Sequence, residues 1–185
     1  MRLKIITSNP GKVLEYRGAL LPFGINAEPF EMPYDEIQTS DLTEVVKDGI
    51  ERLKASGIAD FIIDDSGMFV RSLNGFPGVY SAYVHKTIGN AGILRLMEGI
   101  GDRRAEFQCC IGCNIRGHDI IVLGQCEGSI LHEEKGSEGF GYDPIFSPDG
   151  ERSLAEMPLT EKNGVSHRGN AVRLLVEKLT RDAKY

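Results

Sequence analysis

Apolar residues change their spacing several times along this chain, and each change marks an element. Leu3 to Ile6 is a short apolar run closed by polar Thr7-Ser8-Asn9, as in a buried strand. A helix is expected from Val13, with Leu14, Leu20 and Leu21 on its apolar side and Ser8 or Asn9 as its cap. Asn26 to Phe30 reads as a second strand. From Leu42, the positions Val45, Val46, Gly49, Ile50 and Leu53 follow a 3.6-residue repeat, so a helix is expected to about Ala55, with Ser40 or Asp41 as cap and Gly57 as stop. Phe61-Ile62-Ile63 predicts a third strand that ends at an Asp64-Asp65-Ser66-Gly67 turn. Met68-Phe69-Val70 follows as a short strand, then a loop over residues 73–84 with turn signals at Asn74-Gly75 and Pro77-Gly78, then a helix from Ile88 to Met97.

The period then becomes two. Ala105, Phe107, Cys109, Ile111, Cys113 and Ile115 alternate with more polar neighbours, as do residues 120–131. Arg116-Gly117-His118-Asp119 between them makes a long β-hairpin. Ala171, Leu174, Leu175 and Leu179 mark a C-terminal helix with Ser166 as its cap. Strands and helices share one chain without repeat, low-complexity tract or flexible linker, so a single α/β domain over residues 1–185 is expected.

Composition narrows the function classes. A formal net charge of -6 argues against a sequence-independent nucleic-acid binder, which needs a basic surface. It leaves room for a small polyanion held by a local cluster of cations. No apolar run approaches a membrane span, and Met1 to Ile6 runs straight into polar residues, so a cytoplasmic protein is expected. Cys110 and Cys113 have C-x-x-C spacing, but no second pair completes a zinc set. Cys109, Cys110, Cys113 and Cys126 therefore read as core residues.

Four places carry candidate chemistry. The strand–loop–helix passage Thr7-Ser8-Asn9-Pro10-Gly11-Lys12 lacks Walker spacing, yet it places backbone N–H groups and the Lys12 ammonium where they can meet an anion. Asp64-Asp65 sets two like charges side by side, which is costly unless a cation offsets them; a divalent metal with oxygen ligands would do so. A solvated turn explains the same residues. Gly139-Phe140-Gly141-Tyr142-Asp143 combines close-approach backbone with aromatic rings, and stacking on a base contributes roughly 1–3 kcal/mol. His167 and Arg168 open a helix where the dipole prefers acids, a local violation that points to function.

These pieces stand in an order that resembles the inosine/xanthosine triphosphate pyrophosphatases. The resemblance rests on Thr7-Ser8-Asn9-x-x-Lys12, Glu36-Ile37-Gln38, Asp64-Asp65-Ser66-Gly67, Gly75-x-Pro77-Gly78-Val79-Tyr80-Ser81-Ala82, Gly139 to Phe146, and Ser166-His167-Arg168. It runs from about residue 3 to about 179, and the short Glu36-Ile37-Gln38 form is closest to archaeal members. It implies an elongated, two-lobed mixed α/β fold with a curved mixed sheet and a central substrate cleft, usually a homodimer. It also implies hydrolysis of ITP, dITP and XTP to the monophosphate and pyrophosphate with Mg²⁺, for which Mn²⁺ substitutes. Carried over residue by residue, Thr7, Ser8, Asn9 and Lys12 hold the triphosphate; Glu36 and Asp65 ligate magnesium; Asp65 accepts the proton; Ser66 touches substrate. Phe140, Gly141, Tyr142, Asp143, Lys162, His167 and Arg168 hold the base and its surroundings. Asp64 receives no assigned step. Glu138 and Arg71 depart from common family residues. A binding protein without catalysis, or a pyrophosphatase for modified pyrimidine nucleotides, are the alternative readings.

Overall fold

A computed structural model describes residues 2–32 and 37–182. It is a mixed α/β structure built on one mixed sheet. Strands β1 (Arg2–Ile6), β2 (Asn26–Phe30), β3 (Phe61–Val70), β4 (Pro77–Gly78), β5 (Arg104–Ile115), β6 (His118–Ile130) and β7 (Phe146–Ser147) are joined by helices α1 (Pro10–Leu20), α2 (Leu42–Ala55), α3 (Ser81–Leu96), α4 (Leu159–Val165) and α5 (His167–Asp182). The sheet order is β2-β1-β3-β5-β6-β7, with β4 beside β3. β1 runs parallel to both β2 and β3, and the remaining pairs are antiparallel.

The hairpin, β1, β2 and α2 lie where their periodicity predicts. α2 buries Leu42, Val45, Val46, Gly49, Ile50 and Leu53, and Asp41 is its cap, accepting from the Thr43 N–H. Asn9 caps α1, its Oδ1 accepting from the N–H groups of Gly11 and Lys12. The four cysteines are buried and unpaired. Burial pushes the thiols of Cys110 and Cys126 up to about 11 and that of Cys113 to about 12, so they serve as small apolar groups.

Three expectations are corrected. Asp64-Asp65-Ser66-Gly67 is not a turn: it is the middle of β3, paired residue for residue with Ile111, Cys110, Cys109 and Gln108 of β5. The face of α1 is rotated from the expected one, since Leu14 and Leu21 are exposed while Val13, Glu15, Tyr16 and Leu20 are buried. α3 starts at Ser81 rather than Ile88, and Gly89, with φ +63°, kinks it where the expected helix began.

The core is divided along β3. Ile62 belongs to a cluster under α1 and α5. Phe61 and Ile63 belong to a second under α2. Met68 and Val70 belong to a third with α3 and the segment from Tyr142 to Met157. The Asp-Asp-Ser-Gly stretch lies at the waist between them. β1 pairs with Phe61 and Ile62, and β4 with Met68 and Phe69, so among the described residues the same edge of β3 has no ladder partner across the waist. That gap is where the site forms.

Candidate active site

Side chains alternate along a strand, so adjacent Asp64 and Asp65 leave β3 on opposite faces. Asp64 enters the face covered by α1 and α5 and is buried. Lys12 of α1 reaches into the gap, its Nζ 3.1 Å from Asp64 Oδ2 and donating to the Asp64 carbonyl at 3.2 Å. Arg168 of α5 donates to the same carboxylate at 3.0 Å and to Ser66 Oγ at 3.2 Å. Burial alone would push the Asp64 carboxyl up, but Lys12 and Arg168 outweigh it and hold it well below the usual carboxylate range. The Cys109 thiol donates weakly to the same group at 3.6 Å.

The network continues through a residue that sequence reading passed over. Glu15, one turn after Lys12 on α1, pairs with Arg168 through one oxygen and with Lys162 of α4 through the other, the latter at 2.5 Å. Lys162 also meets Asp143 at 2.5 Å. Three cations and three carboxylates therefore alternate beneath the cavity, each buried charge opposed by another, as burial requires. In sequence, Lys12 and Glu15 look like a solvated i,i+3 pair; the one hint is that Glu15 adjoins Tyr16 on a face with Leu20.

Asp143 closes the Gly-aromatic loop on itself. Its Oδ2 accepts from the Phe140 N–H at 2.7 Å as well as from Lys162. Gly139 has φ +75°, and a Cβ there would stand 2.2 Å from that oxygen, so glycine is required by both conformation and space. Phe140 is half-buried over the cations, its ring centroid 5.1 Å from Lys162 Nζ and 5.8 Å from the Arg168 guanidinium. Tyr142 is buried as a wall, its hydroxyl donating to the Ser81 carbonyl at 3.1 Å. Gly67 holds the opposite rim, where a Cβ would come within 2.2 Å of the Gly78 carbonyl.

His167 is buried and stacks on Phe107, with ring centroids 4.5 Å apart and planes 11° from parallel. Its Nδ1 has no partner among the described residues. Burial, then the charges of Arg168 and Lys162, hold its pKa far below the usual histidine value, so it is a neutral imidazole at physiological pH.

These groups surround a cavity of about 360 Å³, within the size range of small-molecule sites. Of the residues singled out in the sequence, Asn9, Lys12, Asp65 and Ser66 line one part; Phe140, Gly141, Tyr142 and Asp143 line another; Lys162, His167 and Arg168 complete it. Thr7 and Ser8 do not line it. Thr7 acts behind the loop, its Oγ1 accepting from the Asn9 N–H at 3.1 Å. Glu36 lies outside the described residues. Phe107, Ala82 and His85 line the cavity without having been foreseen. His85 stands four residues after Ser81 on a helix whose first two turns the sequence did not announce.

The Ham1 family model matches residues 3–178 of this chain. The chain belongs to the Ham1 family. Ham1-family relatives include the dITP/XTP pyrophosphatase of Pyrococcus horikoshii, 50% identical with all of both chains covered, and that of Thermococcus kodakarensis, 46% identical with the same coverage. Among solved Ham1 structures, a HAM1 protein from Coxiella burnetii is 30% identical with a TM-score of 0.80, covering 98% of this chain and 99% of that one. The Ham1 protein of Staphylococcus aureus is 28% identical with a TM-score of 0.75, covering 98% of this chain and all of the other. The Ham1 assignment thus spans both clusters of site residues, those of α1 and β3 and those near the C-terminus.

Proposed function

We propose that this Ham1-family chain hydrolyses deaminated purine nucleoside triphosphates, ITP, dITP and XTP, to the monophosphate and pyrophosphate. The observation that carries the reading is the convergence of Asn9, Lys12 and Asp65 with Phe140, Lys162, His167 and Arg168 around one cavity. Full-length relatives at 50% and 46% identity that are dITP/XTP pyrophosphatases support it.

The chemistry follows from residue types. Asn9 and Lys12 sit at the N-terminus of α1, where helix N–H groups and an ammonium favour phosphate. Asp65 is half-buried and lines the cavity. It takes the proton from a water that attacks the α-phosphorus; the bond to the bridging oxygen breaks, and pyrophosphate leaves with its charge offset by Lys12. A keto oxygen at position 6 suits the cations Lys162 and Arg168, whereas the amino group of adenine leaves them unmatched.

A magnesium ion fits this donor set. Among the described residues no cluster of three or more His, Cys, Asp or Glu side chains could enclose a metal. Magnesium needs no such cage: it is held by one or two carboxylates and completed by substrate phosphates and water. Asp65 would hold it, joined by Glu36 on the sequence argument. When bound, it supplies charge neutralisation on the phosphates and a more acidic water.

The same proposal includes a homodimer in the cytoplasm. Phe76, just before β4, and Tyr80, Tyr83 and Ile88, in and just before α3, are exposed apolar side chains that a second copy could cover. Free buried cysteines suit a reducing compartment, and no helix among the described residues is long and apolar enough to cross a membrane.

Incubation with ITP or XTP and Mg²⁺, followed by product separation, tests the activity. IMP or XMP with pyrophosphate is expected; a diphosphate with inorganic phosphate, or no turnover, overturns it. Chelation should abolish turnover and Mg²⁺ or Mn²⁺ restore it.

A further inference from the structure

Most polar groups around the cavity are already spoken for. Ser81 Oγ accepts from the Met68 N–H at 2.8 Å and donates to the Gly78 carbonyl at 2.7 Å. Tyr142 is tied to Ser81, Asp143 to Phe140 and Lys162, and Arg168 to Glu15, Asp64 and Ser66. His85 differs. It is half-buried, lines the cavity, and makes no hydrogen bond to any described residue. Its ring is held edge-on to Tyr142, centroids 5.0 Å apart and planes at 89°. It is a fixed imidazole with its polar atoms unspent.

Its position follows from the loop. Tyr142 is tied to α3 through Ser81, and the next residue, Asp143, is tied to α4 through Lys162. The Gly-aromatic loop therefore spans two walls, α3 on one side and the α4–α5 cations on the other. On a purine the groups at positions 6 and 2 leave the ring in different directions, so a 6-keto oxygen held at Lys162 and Arg168 leaves position 2 to another wall, and α3 is the other wall that the loop is tied to. There Ala82 is small and His85 supplies a ring N–H.

We propose that His85 reads position 2 of the purine, donating a hydrogen bond to the 2-keto oxygen of xanthine. This rests on the pyrophosphatase reading and adds a residue that separates xanthine from hypoxanthine, which carries only hydrogen at position 2. His85 makes the site a better xanthine site without bearing on the reacting phosphate.

The test compares ITP and XTP, which share a ribose, in wild-type protein and in His85→Phe and His85→Gln. Phe keeps an aromatic edge against Tyr142 and removes the N–H; Gln keeps an N–H donor. In His85→Phe, kcat/KM for XTP should fall about tenfold through KM at unchanged kcat, while ITP stays within about twofold, the size of one hydrogen bond. His85→Gln should recover part of the XTP loss. Equal losses for both nucleotides, or an unchanged XTP value, overturn the assignment. Wild-type protein that releases pyrophosphate from neither nucleotide overturns the pyrophosphatase reading itself, so the two failures are distinct.

Discussion

Glu15 of α1 and Arg168 of α5, 153 positions apart in the chain, meet as a buried ion pair under the cavity. The same carboxylate holds Lys162, so Glu15 ties the first helix to both C-terminal helices. Removing it leaves Lys162 with Asp143 and Arg168 with Asp64, so that three buried cations face two carboxylates. Glu15→Ala should lower the unfolding free energy by about 3–5 kcal/mol, the usual cost of removing one partner of a buried ion pair. Chemical denaturation measures it, and a loss under about 1 kcal/mol would show that solvent reaches the network and screens it.

How far this was legible in the sequence depends on how far away each partner lies. α2 buries one regular face and β6 alternates between buried and exposed positions along most of its length, so a local period suffices to read them, although β5 is buried on both faces from Cys109 to Asn114. Asp64-Asp65-Ser66-Gly67 misled because its composition is that of a turn, while its strand conformation is stabilised by Lys12, Arg168 and β5. Those side chains join Asp64 from 52 and 104 positions away. The same long-range network rotates α1, burying Glu15 and leaving Leu14 in solvent. Only the first two turns of α3 are hidden in the sequence, and for a local reason: Pro77-Gly78 and Tyr80 look like loop, and the Gly89 kink hides the continuity of the helix. Most of the candidate residues that line the cavity stand in short ordered motifs of the sequence. Glu15, which holds Lys162 and Arg168 in place, does not.

A pH prediction follows from His167. Burial and the neighbouring Arg168 and Lys162 charges hold its pKa below the ordinary histidine value of about 6.5. As pH falls, the unfolded chain therefore takes up the proton first. The stability linked to His167 is complete above about pH 6.5 and declines below it, by about 1 kcal/mol between pH 6.5 and 5.5. Denaturation of wild type and His167→Gln at both pH values should show the wild-type advantage shrinking by that amount. A constant difference would mean that the imidazole protonates in place.

Asp65 and Asp64 should separate cleanly by mutation, because they face opposite sides of β3. Asp65→Asn removes the proposed proton acceptor at a half-buried cavity position and should cut kcat for ITP by about 10²- to 10⁴-fold, with the melting curve little changed. Asp64→Asn removes the anion shared by Lys12 and Arg168 and should show chiefly as lost stability. Circular dichroism melts alongside product assays decide this; near wild-type turnover in Asp65→Asn would refute the assigned role.

Two glycines of the Gly-aromatic loop make a matched pair. Gly139 and Gly141 both have positive φ, +75° and +65°, so alanine at either carries a similar backbone cost of about 1 kcal/mol. They differ in surroundings. A Cβ at Gly139 would stand 2.2 Å from Asp143 Oδ2 and 3.1 Å from Lys162 Nζ, whereas at Gly141 there is no atom within 4 Å. Gly139→Ala must push Asp143 away from the Phe140 N–H and from Lys162, opening the loop and loosening the ring that covers the cations. Its KM for ITP should rise well beyond that of Gly141→Ala, with an additional stability loss of about 1–3 kcal/mol from overpacking. Equal behaviour of the two variants would show that the Asp143–Lys162 latch does not hold the loop closed over the substrate.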